Sequence, residues 1–300
     1  MEPLHAIGVD LGGTKIEAIA LNAAGEARAR RRVATPAGDY AATIEAVATL
    51  VEALENEFGE RGTIGIGTPG SESPRTGLLR NSNSTVLNGK LLRADLERRL
   101  HREIRMANDA NCFTLSEAID GAAAGAHVVF GVILGTGVGG GIALRGRVVE
   151  GRNGIAGEWG HNPLPWPRTT EYPGPQCYCG KRGCIETYLC GPALARAYES
   201  LSGHAATPQE IVAATPRNLV AAGVVADYRD RLARSLAHVV NLVDPDVIVL
   251  GGGLSNAVAL YDSLAEEVGR YAFTDTFATT ITNNAHGDAS GVRGAAWLWD

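Results

Sequence analysis

The chain has 300 residues, 45% of them hydrophobic and 20% charged, with a formal net charge of −6. That length exceeds what one hydrophobic core usually serves, so two lobes are expected. The acidic balance excludes the basic face that non-specific binding to nucleic acid or anionic membranes needs.

The opening MEPLHAIGVD lacks the basic and apolar regions of a signal peptide, and no apolar stretch is long enough to span a membrane. AIGVDLGGTKIEAIAL then reads as a strand, a glycine turn and a second strand. Ile44, Val47, Ala48, Val51, Leu54 and Phe58 fall at helical spacing between Asp39 and Phe58. TIGIGTPG reads as a short buried strand and LRADLERRLHREI as an amphipathic helix; RMANDANC leads from a strand end into a further helix, FTLSEAIDGAAAG. A second strand–turn–strand unit, VVFGVILGTGVGGGIALRGRVV, lays Val132, Leu134 and Gly135 on Val9, Leu11 and Gly12 of the first. Near the end, RDRLARSLAHVVNLV predicts a helix stopped by Asp244-Pro245, VIVL a buried parallel strand closed by glycines, and SGVRGAAWLW a terminal helix. Alternating strands and helices define an α/β protein with mixed sheets.

Glycine totals 38 residues and gathers where strands end. Backbone N–H groups freed at such turns, with Thr14 and Lys15, make an anion-binding concavity suited to phosphate, and Asp10 suits a hydrated Mg²⁺ ion. The spacing is neither a P-loop nor a dinucleotide fingerprint. Each turn alone could serve geometry only; three of them together favour phosphate binding. Asp109 stands at a predicted helix start, whose positive end favours the ionised carboxylate. Phosphoryl transfer to an alcohol needs such a carboxylate as base, although a helix cap is the plainer role.

Five cysteines make no disulfide scaffold and predict a reducing, cytoplasmic setting. Cys177, Cys179 and Cys184 lie close enough in sequence to hold three corners of a Zn²⁺ tetrahedron. Cys190 is near, but His161 in GEWGHNPLP is the better fourth ligand, with other histidines as rivals. Free or redox-active thiols are the alternative. A four-ligand zinc is closed and shapes a site without acting on substrate.

GEWGH followed by CYCGKRGCIE resembles the ROK family of repressors, open reading frames and sugar kinases. Glu158, Gly160 and His161, then Cys177, Cys179, Gly180, Gly183, Cys184 and Glu186, match its paired motifs. DLGGTK, GTPG, NDAN, LGTGVGGGI and LGGG fall in the family's order, so the resemblance spans essentially the whole chain. It implies the two-lobed actin/hexokinase-like ATPase fold, with ribonuclease H-like lobes and an interlobe active-site cleft. The expected lobes are residues 1–118 joined by a C-terminal helix at 290–300, and residues 119–289.

Carried over by resemblance, Asp109 is the catalytic base, and Asn83, Asn108, Glu158, His161 and Glu186 contact the sugar. Asp10, Gly12, Gly13, Thr14, Lys15, Thr136 and Gly137 form the phosphate cradle, and Gly252 and Gly253 lie beside the adenine. His161, Cys177, Cys179 and Cys184 hold a structural Zn²⁺. ATP and Mg²⁺ are the implied cofactors, a homodimer the implied assembly, and nucleic acid and membrane are not expected partners. Cys112 and Cys190 read as buried packing residues.

NSNSTVLNG, HNPLPW and HGDASGVRGAAWLW resemble the bacterial fructokinase (manno-fructokinase) branch, as does the proline-rich spacer Pro163–Gln176. The expected reaction is therefore ATP-dependent phosphorylation of D-fructose at its 6-hydroxyl, with mannose and glucose as weaker substrates. The alternatives are an N-acetylhexosamine or glucose kinase of the same family and, outside enzymes, a sugar-sensing transcriptional regulator. Against the regulator stand the short run before Asp10, too short for a helix-turn-helix, and the negative charge.

Overall fold

A computed structural model describes residues 4–257, 259, 261 and 263–299. Met1–Pro3 and Asp300, at the ends of the expected first lobe, lie outside them. In chain order the first elements are β1 (Ala6–Leu11), β2 (Lys15–Leu21), β3 (Ala27–Ala34), α1 (Tyr40–Phe58), β4 (Thr63–Thr68), β5 (Ser71–Glu72), β6 (Leu79–Arg80), α2 (Leu92–Leu100), β7 (Arg105–Asn108) and α3 (Asp109–Ile119). Then come β8 (Val128–Leu134), β9 (Val138–Leu144), β10 (Arg147–Val148), α4 (Glu186–Leu189), α5 (Gly191–Ser202), α6 (Pro208–Ala214) and α7 (Leu219–Val243). The last are β11 (Val247–Gly251), α8 (Leu264–Tyr271), β12 (Thr280–Asn283) and α9 (Ser290–Ala296).

Two five-stranded mixed sheets carry the fold, ordered β3-β2-β1-β4-β7 and β10-β9-β8-β11-β12. In the first, β4 runs parallel to β1 and β7 parallel to β4; in the second, β11 runs parallel to both β8 and β12. The two orders correspond strand for strand. The register that lays Val9 on Val132 also lays β2 on β9, so the second hairpin repeats the first.

The chain divides into two compact units: residues 1–125 with 141–156 and 285–300, and residues 126–140 with 157–284. In the first unit the strand period of two sorts side chains by face. Ile7, Val9, Leu11, Ile16 and Ala18 pack on α1 and α2, while Ala6, Ile19 and Leu21 join Leu115 of α3 and Val292 of α9. Helix α9 lies so close to β1 that a Cβ at Gly8 would come within 2.0 Å of the Val292 carbonyl. Helix α1 is fixed at both ends: the Asp39 side chain accepts from Ala42 N–H, and Gly59 turns left-handed at φ 67°.

In the second unit α7 starts at Leu219, ten residues before the predicted helix, because Asn218 caps it through the Val220 and Ala221 amides. It ends where expected, at left-handed Asp244 before Pro245. Its Arg234 is buried and binds both oxygens of buried Glu171, at 2.9 and 3.0 Å, and the carbonyls of Pro165 and Trp166. Arg231 adds a bond to the same carboxylate at 2.8 Å. This network anchors the Pro163–Gln176 spacer, which as a sequence shows only prolines. Among the described residues, no helix is long and apolar enough to cross a membrane.

Burial alone would raise the pKa of Glu171, but the bonds from Arg234, Arg231 and the Arg168 amide outweigh it and hold the carboxyl at about 2. Its folded value lies below the unfolded 4.5, so its contribution is complete above that value and lost as pH falls toward 2. Removing one partner of a buried ion pair costs about 3–5 kcal/mol. Glu171→Gln is therefore expected to lose about that much stability at pH 7, with the deficit shrinking below pH 4.5, as denaturant melts across pH will measure.

Candidate active site

The first unit brings together four of the sequence motifs. The β1–β2 turn closes with Gly12 N–H on the Lys15 carbonyl at 3.0 Å. Thr35, just past β3, braces the turn from outside: its hydroxyl donates to the Gly12 carbonyl at 2.7 Å and its amide to Thr14. Lys15 reaches back to the buried Glu17 at 3.8 Å, and Arg30 and Arg32 from β3 bind the same carboxylate. Gly13 faces the loop at 81–89, where the Ser84 hydroxyl stands 3.2 Å from the position a Gly13 Cβ would take. Asn83 is exposed on that loop. Asn88 latches it, accepting from Ser82 N–H at 3.0 Å and donating to Ser82 O at 2.9 Å.

Parallel pairing of β4 with β7 sets Thr68 beside Asn108, which joins GTPG to NDAN. The Asn108 side chain donates to the Gly70 carbonyl at 3.1 Å and accepts from Ala110 N–H at 2.9 Å. Asn108 is thus the cap of α3, and Asp109 is its first residue, accepting from the same Ala110 amide at 2.8 Å. The cap that sequence spacing offered to Asp109 belongs to its neighbour. Cys112, one turn further on, is fully buried.

Asp10 ends β1. Burial first, then the charges of Asp109 and Glu17, push its pKa up to about 6, partly offset by Lys15. A carboxylate crowded by other carboxylates fits a divalent cation, whose charge would relieve that repulsion.

The second unit holds the rest. Four donors, His161, Cys177, Cys179 and Cys184, lie within 4.8 Å of one another. His161 Nδ1 is 3.6 Å from Cys177 Sγ, and Cys179 Sγ is 3.6 Å from Cys184 Sγ. Zn–S bonds of about 2.3 Å give a tetrahedral S···S edge of roughly 3.8 Å, so donor type and spacing both fit that ion. His161 is the fourth donor; Cys190 is buried apart from the cluster, at the start of α5. The loop is drawn tight by Cys177 N–H on the Lys181 carbonyl, Leu164 N–H on Gly183 O and Ile185 N–H on Asn162 O. Burial pushes the Cys184 thiol up to about 12, whereas the Lys181 amide lowers that of exposed Cys179.

The cluster is tied to the second hairpin at two points. Glu186 opens α4 two residues after Cys184, and its carboxylate accepts the Val138 amide at 3.0 Å. A Cβ at Gly137 would come within 2.7 Å of that carboxylate, so a side chain there would displace the Glu186 carboxylate from its bond to Val138. Glu158 precedes a short 3₁₀ turn at Trp159–His161, and buried Trp159 donates its indole N–H to the Gly139 carbonyl at 2.9 Å.

Gly135 and Thr136 of the same hairpin line a cavity of about 770 Å³ with Gly253 and Leu254. Gly252 turns left-handed after β11 at φ 83°. The opposite wall is Gly191, Pro192 and Ala205–Glu210, which the sequence reading missed. Its signal was the TPQE capping box, in which Thr207 and Glu210 exchange bonds at the start of α6. The size suits a nucleotide.

The family model described as "ROK family" matches residues 6–300. An N-acetyl-D-glucosamine kinase of Salmonella newport is 42% identical over 97% of this chain and 98% of its own. Among solved structures, a ROK hexokinase from Thermus thermophilus is 33% identical with a TM-score of 0.86, covering 98% of this chain and 97% of its own. A ROK family glucokinase from Streptomyces griseus, in complex with glucose and AMPPNP, is 26% identical with a TM-score of 0.78 and covers 98% of each chain. The chain belongs to the ROK family. Its architecture is the actin/hexokinase-like ATPase fold that the motifs implied.

Asp10 is charged at a cost. Its folded value lies above the unfolded 3.8, so the penalty is absent at low pH, grows between 3.8 and about 6, and is full above. Asp10→Asn is expected to be more stable than the parent by roughly 1–3 kcal/mol at pH 7.5 and equal to it near pH 3.5, read by melts at both pH values without added metal.

Proposed function

We propose that this ROK family sugar kinase phosphorylates N-acetyl-D-glucosamine with ATP. What carries the acceptor is identity of 42% to N-acetyl-D-glucosamine kinases across nearly the full length of both chains. This favours the N-acetylhexosamine alternative over the expected fructose. Of the fructokinase-like segments, Leu164 and Pro165 of HNPLPW bind Gly183 and Arg234 and the closing segment forms α9 against β1, so these parts pack the fold and say little about the acceptor.

In this reading Asp109 accepts the proton of the attacking primary hydroxyl, with Asn83 and Asn108 on the sugar beside it. Glu158, His161 and Glu186 hold the ring hydroxyls. Amides of the Gly12–Lys15 and Thr136–Gly137 turns, with Lys15, offset the charge that builds on the transferred phosphoryl. A Mg²⁺ ion near Asp10 supplies further neutralising charge when bound. The adenine occupies the cavity between Thr136 and Gly253. The Cys3His set holds a structural zinc, which with four protein ligands keeps the loop in shape and takes no chemical part.

The test is a coupled assay with ATP and N-acetylglucosamine, N-acetylmannosamine, glucose, mannose and fructose. The highest kcat/KM is expected for N-acetylglucosamine; a preference for fructose or glucose would overturn the acceptor. Asp109→Asn should lower kcat about 10²–10⁴-fold, and near-normal turnover would remove it from the role of base.

A further inference from the structure

The residue between the first two cysteines, Tyr178, has no part in the family motif, yet it touches the centre of the site. Its hydroxyl lies 2.9 Å from His161 Nε2, and its ring meets the imidazole edge-on with centroids 5.0 Å apart. The other ring nitrogen, Nδ1, faces Cys177 Sγ, so Nε2 is the one nitrogen of His161 left for a ligand outside the cluster. Tyr178 is 76% exposed, so little besides the histidine holds its side chain in place. Its backbone is fixed by the cysteine on either side.

A hydroxyl bonded to Nε2 of a histidine has the chemistry of a sugar hydroxyl at that position. We propose that Tyr178 is an internal stand-in for the substrate: its hydroxyl occupies the sugar-facing nitrogen of His161 and must be displaced when the hexose binds. This rests on the sugar-kinase reading of Glu158, His161 and Glu186. A solvated, exposed tyrosine hydroxyl finds water partners once displaced, so the exchange costs the sugar part of one hydrogen bond. The residue therefore sets sugar affinity while leaving the chemical step alone. It also keeps the imidazole oriented, with Nδ1 toward the thiolates, while no sugar is bound.

The experiment uses the zinc-loaded full-length protein and Tyr178→Phe, which removes one oxygen at an exposed position. Titration calorimetry with N-acetylglucosamine should show a Kd lowered two- to tenfold in the variant, with kcat within twofold of the parent and one zinc per chain in both. An unchanged or raised Kd overturns the proposal, since Tyr178 would then be a bystander or a direct sugar contact. Loss of zinc from the variant also overturns it, because the residue would then serve the metal. Glucose is titrated in parallel. A protein that binds glucose but not N-acetylglucosamine refutes the proposed acceptor, while the Tyr178 comparison is still decided on glucose by the same criterion.

Discussion

The bond from the Val138 amide to the Glu186 carboxylate joins two things that a sequence keeps almost fifty residues apart, the turn of the second hairpin and the cysteine-bearing loop. Glu186 follows Cys184 and Ile185, the Ile185 amide bonds the Asn162 carbonyl beside His161, and Trp159 returns to Gly139 on the hairpin. The result is a closed ring of contacts: hairpin, ExGH turn, cysteine cluster, α4, hairpin. A closed ring constrains each member through two routes, so the position of Glu186 depends at once on the turn's glycine and on the cluster's geometry. Phosphate turn and candidate sugar carboxylate are held as one piece.

The first hairpin solves the same problem differently. It has the same place in its sheet, yet its partners are Glu17 with Lys15, Arg30 and Arg32 on one side and Thr35 on the other. Asp288 shares Arg30 and Arg32 with Glu17, and Asp10 lies near Lys15, so that turn sits in a mixed network of cations and carboxylates. The second hairpin is bonded instead to one carboxylate, Glu186, which the proposed function assigns to the sugar. Duplicated backbone has thus been given two electrostatic characters by the side chains set around it. The Glu171–Arg234 network plays a supporting part, fixing the spacer that delivers Gln176 and Cys177 to the cluster.

Much of this was legible in the sequence, and the reasons differ by element. The hairpins stood out because their strands are buried and end in glycine bursts, so that period and punctuation agree. The clustering of His161 with Cys177, Cys179 and Cys184 was legible because three cysteines so closely spaced have few structural alternatives. β3 was missed since ARARRRVA is an exposed edge strand with no hydrophobic alternation. Arg234 reads as a solvated helix charge, and only the fold reveals that its partner is Glu171. Asn108 and Asp109 could not be told apart as cap, because both side chains suit the role. The acceptor sugar was least legible: much of HNPLPW and of the closing segment packs the fold, and a list of asparagines, glutamates and a histidine does not display the volume of the pocket they line.

The central claim is that the Cys3His cluster exists to hold Glu186 and His161 in the form that binds sugar. The direct measurement is calorimetric affinity for N-acetylglucosamine and for AMPPNP, on one preparation before and after removal of zinc with a chelator. The account predicts a loss of at least tenfold in sugar affinity with nucleotide affinity held within about twofold, as expected when a metal orients neighbouring ligands. Equal loss of both, or sugar affinity unchanged by removal of the metal, would contradict it.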